Sequence, residues 1–169
     1  CIKARKVSMA RELIHRGSDI HMTTKDRNET PLQLAIKTGD VEMVLLLLDK
    51  GADLFQYSSE GFTPLMVAVQ TFHVNVVECL LERGALINQQ NMEGKTPLML
   101  AAASSSRAMI ELLHKYSADI NLYDISGQTA YEYAKKHKKG EMWDILSKSF
   151  NNQRGPKYND KDPEIMARK

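Results

Sequence analysis

Cysteine is nearly absent from this chain of 169 residues: only Cys1 and Cys79 occur, too few for a disulfide framework. A secreted, cross-linked miniprotein is therefore excluded, and a reducing, intracellular compartment is the default expectation. Aromatic residues make up only 7% of the sequence, with a single Trp. Charge of one sign is lacking too, since 23 Lys and Arg stand against 21 Asp and Glu. That balance gives no reason to expect nucleic acid as a main partner. No run approaches the roughly 18 apolar residues of a membrane span, and no charged-then-apolar leader is visible. Membrane insertion is not expected.

What the chain does have is a period. Thr30, Thr63, Thr96 and Thr129 are spaced 33 residues apart, and the first three open the triplet Thr-Pro-Leu. The fourth copy has drifted to Thr129-Ala130-Tyr131 and reads as the last of the array. The register extends well beyond the triplet. Two residues before each Thr stand Asn28, Gly61, Gly94 and Gly127, the types that tolerate positive φ. Five residues after it stand Ala35, Ala68, Ala101 and Ala134, where only a small side chain is expected to fit. Gly51-Ala52-Asp53, Gly84-Ala85-Leu86 and Ser117-Ala118-Asp119 keep the same spacing, and Gly17-Ser18-Asp19 leads them with one extra residue before Thr30.

Thr followed by Pro is a helix start, because the hydroxyl can accept a bond from an unpaired N–H and Pro at the first helical position loses nothing. Thr30, Thr63 and Thr96 are therefore expected N-caps of helices about two turns long, broken near Gly39, Phe72 and Ser105. A second helix follows each. Its apolar spacing is helical: Val41, Val44, Leu47 and Leu48, then Val74, Val77, Leu80 and Leu81, then Ile110 and Leu113. Gly51 and Gly84 supply the left-handed residue that stops it. The next stretch, such as Asp53 to Gly61, is rich in turn formers and reads as an extended finger with a tight turn. One helix pair cannot bury its apolar faces alone, whereas stacked copies share a core.

The period, the Gly-x-Thr-Pro-Leu opening, the Ala five residues later and the Gly-Ala-Asp close resemble the ankyrin repeat, from about Lys6 to Leu146. The resemblance implies an all-α solenoid of helix-turn-helix units with short β-hairpin fingers. A partial leading repeat would cover 1–22, full repeats would lie near 23–55, 56–88 and 89–121, and a final one would cover 122–146. Residues 147–169 read as a basic, flexible tail or linker, with a short binding motif at Pro163 to Arg168 as the functional alternative. The sequence departs from the family at the His usual three residues after Thr, which is Gln33, Met66, Met99 and Glu132 here. Its Gly-His pair survives only as Gly39-Asp40. The familiar hydrogen-bonded link along the stack is thus not expected, and methionine packing is expected to replace it.

The residues offer no enzyme chemistry. His15, His21, His73, His114 and His137 have neither metal-ligand spacing nor a catalytic partner motif, so no catalytic residue, metal or cofactor is assigned. His15 and His114 suit the negative ends of helices, and His73 is expected to cap or bridge helices. Cys79 reads as a small buried hydrophobe. Lys135 to Lys139 reads as a solvated basic helix end, with a nuclear-import or phosphate-binding patch as the alternative. Ser104 to Ser106 reads as a plain loop.

In the family, finger tips and first helices form a concave surface on which partners bind. Carried over by position, that surface comprises Asp26, Arg27 and Glu29; Ser59, Glu60 and Phe62; Met92, Glu93 and Lys95; and Ile125, Ser126 and Gln128. Lys37, Gln70, Thr71, Ala103 and Ser104 add the helix ends. Tyr57, Phe62 and Met92 stand out, because the fold has no evident need of apolar groups there and rigid side chains anchor interfaces. The expected contact set is Tyr57, Ser59, Glu60, Phe62, Gln70, Thr71, Met92, Glu93, Lys95 and Ile125. A partner with apolar groups and a basic side chain would suit it. Leu45 is expected to face outward on the convex side, since its equivalents are Glu78, Glu111 and Asp144.

The resulting expectation is a non-catalytic scaffold or adaptor, cytoplasmic or nuclear, that binds a protein or peptide. The chain opens at Cys1 directly in a second helix, Val7 to Arg16, and so reads as a fragment. The alternative is accordingly a targeting or regulatory arm of a larger enzyme, channel or ubiquitin-ligase adaptor.

Overall fold

The computed structural model describes residues 12, 16–17, 19–25, 28–104 and 106–136. The leading repeat over 1–11, the second helix of the last repeat, the tail 147–169, and Asp26, Arg27, His15, Ser105 and His137 lie outside the described residues. Seven helices lie wholly within them: α1 Pro31–Lys37, α2 Val41–Asp49, α3 Pro64–Gln70, α4 Val74–Glu82, α5 Pro97–Ala103, α6 Arg107–Lys115 and α7 Ala130–Lys136.

Each first helix starts where the Thr-Pro pair requires. The hydroxyls of Thr30, Thr63 and Thr96 accept from the backbone N–H of Gln33, Met66 and Met99. Each second helix stops at a residue with positive φ, Gly51, Gly84 and Ser117 at 90°, 90° and 64°. At each stop two backbone bonds close a Schellman motif, for example Gly51 N–H to the Leu48 carbonyl and Ala52 N–H to Leu47, each 2.9 Å.

Helices pair within a unit, α1 with α2, α3 with α4 and α5 with α6, and then stack in two rows. The first-helix row is α1, α3, α5, α7, and the second-helix row is α2, α4, α6. One apolar cluster runs through the stack from Leu32 to Ala134 and takes in Leu65, Met99, Ile110 and Leu113. The four alanines of the register are all within it, 0–7% exposed, where a larger side chain would push the rows apart. Each buried Leu contributes roughly 1.5–3 kcal/mol, so units that cannot stand alone stabilise one another. Leu45 is not the outward-facing residue its register suggested. It is half-buried and packs against the core, because an apolar side chain there can lie down on its neighbours where Glu cannot.

The fingers are tighter than hairpins with a ladder. Each is closed by two backbone bonds across the turn: Ser58 N–H to Phe62 and Gly61 N–H to Ser58, Asn91 N–H to Lys95 and Gly94 N–H to Asn91, and Asp124 N–H to Gln128 and Gly127 N–H to Asp124. Tyr123 and Thr129 form an isolated bridge, the one strand-type pairing among the described residues.

Candidate binding face at the fingers

Three side chains in one register hold the finger turns. Ser58 Oγ accepts from Phe62 N–H at 3.2 Å. Asn91 Oδ1 accepts from the N–H groups of Glu93 and Lys95 at 3.0 and 2.8 Å. Asp124 Oδ1 accepts from the N–H groups of Ser126 and Gln128 and from Ser126 Oγ, at 2.9, 2.8 and 2.7 Å. A short side chain that bonds backbone groups two and four residues ahead fixes a tight turn. The residues just after it are thereby pushed out. Those residues are Ser59 and Glu60, Met92 and Glu93, and Ile125 and Ser126, all of them exposed.

The tips are stacked on one another. A Cβ on Gly61 would lie 2.5 Å from Met92 Cγ, so glycine is what allows Met92 to rest on the preceding finger. Ile125 N–H bonds the Glu93 carbonyl at 3.1 Å, and a Cβ on Gly94 would come within 2.9 Å of the Ile125 nitrogen. Met92 and Ile125 are nonetheless 76% and 80% exposed. Tyr57 and Tyr123, which share a register, are also exposed. Gln89 Nε2 holds the Tyr57 hydroxyl, and Gln90 Nε2 donates to the Tyr123 carbonyl at 2.9 Å. Glutamines thus tie each finger to its neighbour.

The wall between fingers and first helices is built differently. In the first and last units the residue before the Thr meets the end of the first helix it precedes. Glu29 pairs with Lys37, and Lys136 Nζ donates to Gln128 Oε1 at 3.0 Å. Lys95 pairs with Glu93 at 2.5 Å and lies 5.8 Å from the centre of the Tyr133 ring, a cation–π contact. Gln70 is exposed. Thr71 is half-buried, and its hydroxyl donates to the Val67 and Ala68 carbonyls.

Phe62 departs from its expected role. It is half-buried and packs against the core, and its N–H and carbonyl close the finger. At least part of its ring is thus used by the core of this unit, although the equivalent positions hold Glu29, Lys95 and Gln128.

Asp124 is buried and its other oxygen accepts from the Tyr133 hydroxyl at 2.6 Å. Burial alone would raise its pKa. Hydrogen bonds from Tyr133, Gln128 and Ser126 outweigh that penalty and hold the carboxyl below its ordinary value. Tyr133 is raised, first by burial and then by the bond to Asp124. Lys95 is raised chiefly by its bond to Glu93. These groups lock the last finger to α7 and to the finger before it.

The hydrogen-bonded link along the stack, not expected from the sequence, survives through Gln33. Gln33 is fully buried; its Oε1 accepts from Thr30 N–H at 3.1 Å, and its Nε2 donates to the carbonyls of Gln56 and Phe62 at 3.1 and 3.2 Å. The amide of Gln supplies a donor and an acceptor, as an imidazole does. Met66 and Met99 fill the same place and are 0% and 1% exposed, and Met99 Sδ also accepts from Thr96 N–H at 3.4 Å. His73 bridges units, its Nε2 donating to the Lys37 carbonyl at 3.2 Å, but it makes no side-chain cap bond to α4. A cavity of about 290 Å³ lies beside it, lined by Gly39, Val41 and the turn Phe72 to Val76, at the end of the first helices away from the fingers. Cys79 is buried, and desolvation pushes its thiol pKa up. Among the described residues no group of His, Cys, Asp and Glu is arranged to hold a metal ion, and no helix is long and apolar enough to cross a membrane.

A family model described as ankyrin repeats in three copies matches residues 1–91, more than half of the chain. A second, described as ankyrin repeats in many copies, matches residues 80–134. None of the curated proteins compared matches the chain. Two rows of helices, Thr-Pro caps in register and stacked fingers are the physical form of those matches. The chain belongs to the ankyrin-repeat family, whose stacks are in general modules for protein–protein interaction and are typically non-catalytic.

Proposed function

We propose that the chain is a non-catalytic scaffold that binds a protein or peptide on the concave face formed by its fingers and the ends of its first helices. The observation that carries this reading is the pair Met92 and Ile125, 76% and 80% exposed on adjacent tips. Isolated exposed apolar residues are ordinary, but a fixed row of them on interlocked turns marks a surface that another molecule covers. The tips are held in place before any partner arrives, so little ordering entropy opposes binding. The sparse cysteines support an intracellular setting.

The test uses a partner isolated by affinity capture on the intact chain. Gln70→Arg combined with Met92→Arg is expected to weaken it by roughly tenfold or more, whereas Glu82→Arg on α4 leaves the affinity within about twofold. Loss of binding with Glu82→Arg and none with the double variant would assign the partner to the second-helix row.

A further inference from the structure

Sulfur is distributed unevenly over this fold. Of the nine methionines in the sequence, Met22, Met43, Met66, Met92, Met99 and Met109 lie among the described residues. Met66, Met99 and Met109 are 0–1% exposed, and Met43 is half-buried against the core. A cysteine thiolate is ordinarily the first group to meet an oxidant, but Cys79 is buried and desolvation disfavours its thiolate. Two thioethers stand in the open instead, Met22 and Met92, 67% and 76% exposed.

Met92 is seated as well as open. Its Cγ rests against Gly61, where a Cβ would come within 2.5 Å of that carbon and 3.0 Å of the Met92 nitrogen. The next residue, Glu93, accepts from Ile125 N–H through its carbonyl at 3.1 Å, so the same tip is tied to the finger on its other side. Ser59 and Ile125 hold the equivalent position in the neighbouring fingers, and the fold therefore has no need of a thioether there.

From this we infer that Met92 is a modification site, at which a hydroperoxide converts the thioether to the sulfoxide and turns the finger tip from apolar to polar while the stack stays intact. A sulfur lone pair attacks one peroxide oxygen, and the S–O bond forms as the O–O bond breaks. The sulfur loses two electrons, and hydrogen peroxide is reduced to water. A sulfoxide reductase reverses the step: two thiols are oxidised to a disulfide and the oxygen leaves as water. The added oxygen is strongly polar, so the largest thioether surface of the tip is replaced by a hydrated group. Neither the Cγ contact on Gly61 nor the bond from Ile125 to Glu93 involves the oxidised atom, and the fingers remain interlocked. Packing shields Met66, Met99 and Met109, where a sulfoxide would bury a polar group at a cost to the core. This chemistry needs no partner on the finger face and stands apart from the reading of that face as a binding surface.

Limited treatment of the whole chain with hydrogen peroxide, followed by digestion and mass spectrometry, gives the oxidation rate of each methionine. Met92 is expected to gain oxygen at least about tenfold faster than Met66, Met99 and Met109, and methionine sulfoxide reductases with dithiothreitol should remove it from the folded chain. Met22→Leu should leave the Met92 rate within about twofold. Met92→Gln, a permanent polar stand-in for the sulfoxide, should elute earlier than wild type from a hydrophobic-interaction column and melt within about 3 °C of it. Oxidation of Met92 no faster than that of Met99 or Met109 overturns the inference, because the tip would then be covered or the core would open as readily. A sulfoxide at Met92 that the reductases do not reduce overturns its reversibility, and a larger drop in the melting temperature of Met92→Gln shows that the stack depends on the thioether, which contradicts a switch confined to the tip.

Discussion

Asp124 shows how a single buried carboxylate can set both shape and pH response. It accepts from Ser126, Gln128 and Tyr133, and those bonds hold its pKa below the ordinary value. A group depressed in the folded state adds stability above its unfolded pKa, about 3.9, and that stability is lost as pH falls through the folded value. Asp124→Asn should cost about 2 kcal/mol at neutral pH, measured by urea unfolding. The gap between wild type and variant should shrink as the pH drops below about 4; a gap independent of pH would contradict the assignment. At this scale the sequence was only partly legible. Tip residues could be located from register, because a 33-residue period fixes which positions share a turn. Phe62 could not be judged that way, since whether a ring lies on the core or in water depends on the depth of the finger. The bridging role of Gln33 was hidden because His is the usual residue there; an amide with the same donor and acceptor was the signal available.

Helices and their caps were the most legible layer, because each boundary rests on local chemistry. Thr-Pro starts and left-handed stops occur where the spacing put them. The third stop is the weak one. Ser117 adopts φ 64° at the position where the two earlier units have glycine, and a side chain in that region carries a steric cost of about 1 kcal/mol. Ser117→Gly is therefore expected to stabilise the protein by about 0.5–1 kcal/mol, seen as a higher melting temperature. An unchanged or lower value would mean that the serine side chain makes a compensating contact. The fingers were less legible as elements: turn-forming residues announced the turn, but the pair of closing bonds and the Ser58, Asn91 and Asp124 register that replaces a ladder came from geometry.

At the scale of the whole molecule, two rows of helices share one core, and among the described residues the main helix contacts are within a unit or between adjacent units. That arrangement fixes a scaffold and leaves the finger face free to vary. The fold was readable because stacking requires the same apolar positions in every unit. The proposed binding face was readable only as a set of positions, since the core does not dictate which residues stand there. Hydrogen exchange of the intact chain with and without a captured partner tests the central proposal most directly. Added protection is predicted at the finger amides 59–62, 92–95 and 125–128, with residues 74–82 and 107–115 of the second-helix row unchanged. Protection confined to the second-helix row, with the fingers exchanging as in the free chain, would contradict it.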